Sequence, residues 1–147
     1  MKIYRIIKNI ILSVLARRTI GARVLVIKDE KVLLVEHTYM PGWYTIGGAV
    51  EKGESPKEAI IRELSEEVGI SVHSLDLFNV YYSYNEKRDD YIVFYICKDF
   101  IETEHFSKAE IKEKRWFALD NLPESVSPAT LRRIKEYQGI NKITDKW

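Results

Sequence analysis

Three glutamates, Glu63, Glu66 and Glu67, stand three and four positions apart near the end of the segment GAVEKGESPKEAIIRELSEEVGI, residues 48–70. On an α-helix, side chains at i, i+3 and i+4 share a face, so these carboxylates project together. Like charges at that spacing repel by about 0.2–0.5 kcal/mol per pair even on an exposed helix. A divalent cation relieves the repulsion. Carboxylate oxygens, with the remaining positions left to water and substrate phosphates, suit Mg²⁺, and Mn²⁺ accepts the same donors. A glutamate-rich helix face standing alone is more often plain solvated surface. Here the flanking glycines, a proline-started helix and Arg62 beside the acidic face turn the reading toward a metal site.

The segment also encodes the helix that positions these groups. Ser55 followed by Glu58 is a capping box, Pro56 occupies the first helical position, and Gly69 supplies a left-handed cap. Ile60, Ile61, Leu64 and Val68 form an apolar stripe, centred roughly 120° around the helix from the glutamates. One face packs while another holds metal. The guanidinium of Arg62 is suited to pinning a carboxylate in place, and Glu54 near the helix start favours the helix dipole.

Gly48, five residues, Glu54, seven residues, then Arg62-Glu63-Leu64-x-Glu66-Glu67-x-Gly69-Ile70 resembles the Nudix box at every defined position. The resemblance continues through His37-Thr38-Tyr39-x-Pro41-Gly42-Trp43-Tyr44 before the box and Glu110-Ile111-x-Glu113-x-Arg115-Trp116-Phe117 after it, so it covers most of the chain. One departure is Ile46-Gly47-Gly48, where many members carry Pro-Gly-Gly. The resemblance implies an α/β Nudix fold, a mixed β-sheet sandwiched between α-helices. It implies metal-dependent hydrolysis, with Mg²⁺ or Mn²⁺, of a phosphoanhydride bond in a nucleoside diphosphate linked to another moiety. The expected substrate is a small nucleotide, either a nucleoside triphosphate or a nucleotide sugar.

By the same resemblance, Glu66 and Glu67 are the principal metal ligands, and Glu63 either ligates a second ion or acts as general base. Gly47 donates its carbonyl to metal, Arg62 belongs with the catalytic residues, and Gly48 and Glu54 support the box. The base can also come from outside the box, with Glu110, Glu113 and Glu104 as candidates; Glu113 equally reads as a surface carboxylate or the partner of an arginine. Trp43 and Tyr44 are candidates for lining the pocket, and His37 for donating to phosphate, each against a purely structural role. Lys87 and Arg88 either reach phosphates or form a solvated loop tip. No proline lies between Ser71 and Phe100, where ADP-ribose and dinucleoside-pyrophosphate branches often carry one. Two rivals stay open: a non-catalytic nucleotide-binding sensor or scaffold, which usually loses box carboxylates, and an RNA-end pyrophosphohydrolase, which needs a basic groove.

Length and composition fit one compact enzyme. At 147 residues and 46% hydrophobic content the chain is of single-domain size, with a separate signal in residues 1–18 and one Nudix domain expected over 19–147. A net charge of +1 gives no global reason to bind nucleic acid. A single cysteine, Cys97, excludes intrachain disulfides and fits a reducing, cytoplasmic compartment. Residues 22–27 and 32–36 read as a hairpin, 43–46 as extended after a Pro41-Gly42 turn, 75–83 and 91–98 as strands about a polar loop at 85–90. Residues 115–118 read as a short strand, and a terminal helix starts near Pro128.

In residues 1–18, Ile3, Ile6, Ile7, Ile10, Ile11, Val14 and Leu15 recur at helical spacing among Lys2, Arg5, Lys8, Arg17 and Arg18. This is a basic amphipathic helix. Arg5, Lys8 and Asn9 interrupt it too early for a transmembrane span, and no A-x-A-like site follows for a signal peptide. Three roles remain: packing on the domain or on the partner in a homodimer, weak contact with a membrane surface, or targeting.

Overall fold

A computed structural model describes residues 18–85 and 88–147, together with Ile3, Ile6 and Ile7 of the preceding segment. Strands β1 (Thr19–Lys28) and β2 (Lys31–His37) form the expected hairpin. Its turn residues Asp29 and Glu30 have φ of 51° and 58°, the left-handed pair whose twist matches that of the flanking strands. There follow β3 (Met40–Tyr44), β4 (Ile46–Ala49), helix α1 (Pro56–Val68), the long pair β5 (Ile70–Asn85) and β6 (Arg88–Glu102), β7 (Ile111–Ala118) and helix α2 (Pro128–Tyr137).

The seven strands make one mixed sheet in the order β3-β2-β1-β6-β5, with β4 also on β1 and β7 also on β2. β1 runs parallel to β6 from Thr19 to Val26. On its other edge it pairs antiparallel first with β4, over Gly21–Val24, and then with β2, over Val26–Lys28. β1 thus changes partner midway, and β2 and β4 diverge from it as a fork. The fork is where the cleft opens.

Alternation along the strands builds a core on each face. Ala22, Val24, Val26, Leu33 and Val35 turn to one side and pack with Ile60, Leu64 and Val68 of α1. Leu25, Ile27, Val32 and Leu34 turn to the other, where Ile134 of α2 joins them. Strands buried on both faces read as near-continuous hydrophobic runs, which is why VLVI and VLLV carry no polar spacing. The chain after α2 returns to β5: the Tyr82 amide donates to the Asp145 carbonyl at 2.7 Å, and the Trp147 amide to the Tyr82 carbonyl at 3.0 Å. Beneath Trp147, Arg133 is 1% exposed, stacked 4.0 Å from the Tyr81 ring and paired with Glu136.

Several local expectations change. The turn after β2 falls at Thr38-Tyr39, and Pro41-Gly42 lies within β3, an edge strand where a missing N–H costs no ladder bond. The polar stretch at 85–90 is largely strand, because Asp89 and Asp90 pair with Tyr84 and Ser83 and the Tyr82 hydroxyl donates to Asp89 at 2.8 Å. Ile61 is exposed, so the packed stripe of α1 is Ala59, Ile60, Leu64 and Val68. Apart from Ile3, Ile6 and Ile7, the expected helix over 1–18 lies outside the described residues. Among the described residues no helix is long and apolar enough to cross a membrane.

Candidate active site

Helix α1 starts and ends on local chemistry. The Ser55 hydroxyl accepts from the Glu58 amide at 3.1 Å while the Glu58 carboxylate accepts from the Ser55 amide at 3.0 Å, so two otherwise orphaned donors are satisfied. At the far end Gly69 turns left-handed with φ of 68°. The Lys114 ammonium then donates to the Val68 carbonyl at 2.9 Å.

Arg62 ties this helix to the loop before it. Its Nε donates to Glu54 Oε1 at 2.7 Å and its Nη2 to Glu54 Oε2 at 3.1 Å. Nη1 donates to Glu63 at 2.9 Å, Nη2 reaches the Ala49 carbonyl at 3.3 Å, and the Glu66 carboxylate lies 3.6 Å away. A planar guanidinium is suited to this two-pronged hold. The hydrogen bonds from Arg62, and then from the Glu51 amide, hold the Glu54 carboxyl below the usual carboxylate range.

Two glycines let β4 press against that assembly. A Cβ on Gly48 would stand 2.5 Å from Glu63 Oε1, and one on Gly47, whose φ is 145°, would stand 2.1 Å from the Ala22 carbonyl oxygen. Neither position has room for a side chain. The Gly47 carbonyl accepts from Arg23 Nη1 at 3.0 Å.

Opposite these glycines lies Glu67, 7% exposed, with Oε2 buried and without a hydrogen-bond partner. Burial, together with the charge and hydrogen bond of Glu63 and the charge of Glu110, pushes its carboxyl up to about 8 against the pull of Arg23. Near neutral pH this pair therefore keeps a proton. His37, also buried, leaves Nδ1 unpartnered beside the rings of Tyr39 and Tyr44 at 5.0 and 5.6 Å. Burial and then Arg23 lower its pKa, which favours the neutral imidazole. These groups line a cleft of about 1160 Å³ that runs on to Ser83, Arg88 and Asp90 of the β5–β6 arm, residues 127–130 at the start of α2, Arg132 and Trp147.

The NUDIX domain family profile matches residues 17–137. The chain belongs to the Nudix hydrolase superfamily. It is 32% identical over 113 residues to the NAD-capped RNA hydrolase NudC of Pseudomonas aeruginosa, an alignment covering 75% of this chain and 40% of that protein. It is 36% identical over 101 residues to the ADP-ribose pyrophosphatase of Methanocaldococcus jannaschii, covering 66% of this chain and 60% of that protein. A probable DHNTP pyrophosphohydrolase of Lactococcus lactis is 31% identical over 131 residues, covering 82% and 74% respectively. The chain thus spans only 40–60% of the length of the first two relatives. The fold is likewise that of a MutT NUDIX hydrolase from Burkholderia pseudomallei, with a TM-score of 0.72 at 24% identity, covering 81% of this chain and 97% of that one.

Within this Nudix domain the cleft gathers Arg62, Glu63, Glu66, Glu67, Gly47, Gly48, His37, Tyr44 and Glu110 from the residues expected on sequence grounds. Glu54 stands behind Arg62. Trp43 does not join them: it is buried in the second core, edge-on to Phe117 at 4.8 Å and under Arg115 at 5.3 Å. Glu113 pairs with Arg115, whose Nε lies 2.9 Å away, and is not among the cleft-lining residues. Glu104 is exposed and also outside the lining, and Lys87 lies outside the described residues. Arg23 and the start of α2 are cleft groups that sequence reading passed over. An arginine inside the apolar run GARVLVI was the available signal for the first.

A divalent ion fits this set. A buried carboxylate oxygen without a partner, a second carboxylate bonded to it and a glycine carbonyl on the same cleft wall are hard oxygen donors short of a cation. Among the described residues no three acidic, histidine or cysteine side chains already form a complete cage. That suits Mg²⁺, which keeps waters and substrate oxygens in its shell.

Proposed function

We propose that this cleft hydrolyses a phosphoanhydride bond in a nucleoside diphosphate linked to another group, with Mg²⁺ or Mn²⁺. A nucleoside triphosphate or a nucleotide sugar is the substrate class. The observation that carries the reading is the Glu63–Glu67 pair, two carboxylates pressed together with one oxygen unpartnered, on the wall of a cleft large enough for a nucleotide. The pyrophosphohydrolase names of the relatives support it.

Glu67, Glu63, Glu66 and the Gly47 carbonyl are the groups that would hold the metal. When bound, a divalent ion supplies neutralisation of phosphate charge and acidification of water. Arg62 keeps Glu63 and Glu66 aimed, and Glu54 in turn keeps Arg62 aimed. Arg23 places a fixed positive charge beside Gly47, where phosphate oxygens would enter. Glu63 and Glu110, both on the cleft, are the groups placed to take a proton from attacking water. A non-catalytic sensor fits less well, since every box carboxylate is present and Arg62 holds those beside it.

The test is a panel of nucleoside triphosphates, nucleotide sugars, ADP-ribose and NAD-capped RNA, each with Mg²⁺ or Mn²⁺, scored for release of phosphate, pyrophosphate and nucleoside monophosphate. The expected result is turnover of a triphosphate or nucleotide sugar that is lost in Glu67→Gln. Turnover of none would favour the binding role, and preference for the capped RNA would replace the substrate class.

A further inference from the structure

We propose that residues 1–18 form a docking element for an anionic lipid surface. Ile3, Ile6 and Ile7 are helical and stand at i, i+3 and i+4, yet they are 73%, 57% and 50% exposed. The catalytic domain does not cover this apolar face. In the sequence the same spacing continues through Ile10, Ile11, Val14 and Leu15.

Charge names the occupant. Five of the 23 Lys and Arg residues, and none of the 22 Asp and Glu, fall within residues 1–18. The remainder holds 18 basic against 22 acidic residues, so a segment of +5 is joined to a domain of −4. Indeed no acidic residue precedes Asp29. An isoleucine stripe flanked by cations matches the boundary between acyl chains and anionic headgroups, where apolar burial and electrostatic attraction add. A second copy of the chain is a poorer occupant, because two such segments face to face bring like charges together. The acidic domain is itself repelled by an anionic bilayer, which leaves this segment as the part that touches. The contact is reversible and salt-sensitive, as expected of one short amphipathic element.

The full chain is sedimented with vesicles of phosphatidylcholine and phosphatidylglycerol in equal parts, and with phosphatidylcholine alone, at low and high salt. It should pellet with the anionic vesicles at low salt and stay in solution otherwise. Ile6→Asp should weaken the partition at least about tenfold and Lys8→Gln roughly fivefold. Both variants should keep the thermal midpoint and the nucleotide turnover of the parent chain. Recovery of the parent chain in the supernatant with anionic vesicles overturns the proposal, as does equal pelleting with neutral vesicles or undiminished pelleting of both variants. A dimer in light scattering that Ile6→Asp dissociates overturns it too, and assigns the stripe to a second copy.

Discussion

Glu67 is placed where a carboxylate is worst off without a cation: buried, against Glu63, with one oxygen unpartnered. Glu67→Gln keeps the shape and removes the ionisable group, so we expect turnover to fall by orders of magnitude while the chain stays folded. Circular dichroism alongside a phosphate-release assay checks both halves. Arg62→Lys keeps the charge but loses the fork that spans Glu54 and Glu63, and should lower metal affinity or activity roughly 10–100-fold. A variant with near-normal kinetics would show that the clamp is ornamental to the chemistry. The box carboxylates were legible because helical spacing alone brings them together. Trp43 and Tyr44 were not separable, since neighbouring strand residues point to opposite faces and no local signal says which face is cleft. Tertiary placement put Tyr44 on the cleft and Trp43 in the core.

Helix α1 divides its labour by face: Leu64 is fully buried beneath it while Glu63 and Glu66 look into the cleft. Leu64→Ala should cost about 2–5 kcal/mol of stability, and Ser55→Ala about 1 kcal/mol through loss of the cap. Urea unfolding measures both; an unchanged midpoint for Leu64→Ala would mean that α1 is not seated as described. The limits of this helix were readable because Ser55, Glu58, Pro56 and Gly69 act within a turn of one another. Ile61 was misassigned for a matter of phase, one position from Ile60 on a helix whose buried stripe is narrow. The sheet was less readable. Nothing local in Thr19–Lys28 announces that its first half pairs with β4 and its second with β2, and that long-range exchange makes the fork. Likewise the β5–β6 ladder recruits aspartates that composition alone assigns to a loop.

For the whole molecule the Glu63–Glu67 pair links stability, pH and metal. The Glu67 pKa is raised in the folded chain, from 4.5 to about 8, so between those values the folded state keeps a proton that the unfolded state has lost. Stability of the metal-free protein should therefore be highest near the lower end of this window and fall by a few kcal/mol as pH rises through about 8. Glu67→Gln should flatten that slope. Denaturant melts in chelator at acidic and alkaline pH test the sign, and parallel slopes for the two proteins would remove Glu67 as the cause. Bound metal should reverse the penalty, since a cation favours the ionised pair.

The most direct test of the central claim, that this acidic pair and its neighbours hold a divalent ion, is calorimetric titration of the chelator-stripped protein with Mn²⁺ or Mg²⁺ near neutral pH. It is run in two buffers of different ionisation enthalpy, with and without a non-hydrolysable nucleotide. Ion uptake accompanied by release of about one proton, and lost in Glu67→Gln, is the expected result. No uptake under either condition, or uptake unchanged in Glu67→Gln, would contradict it.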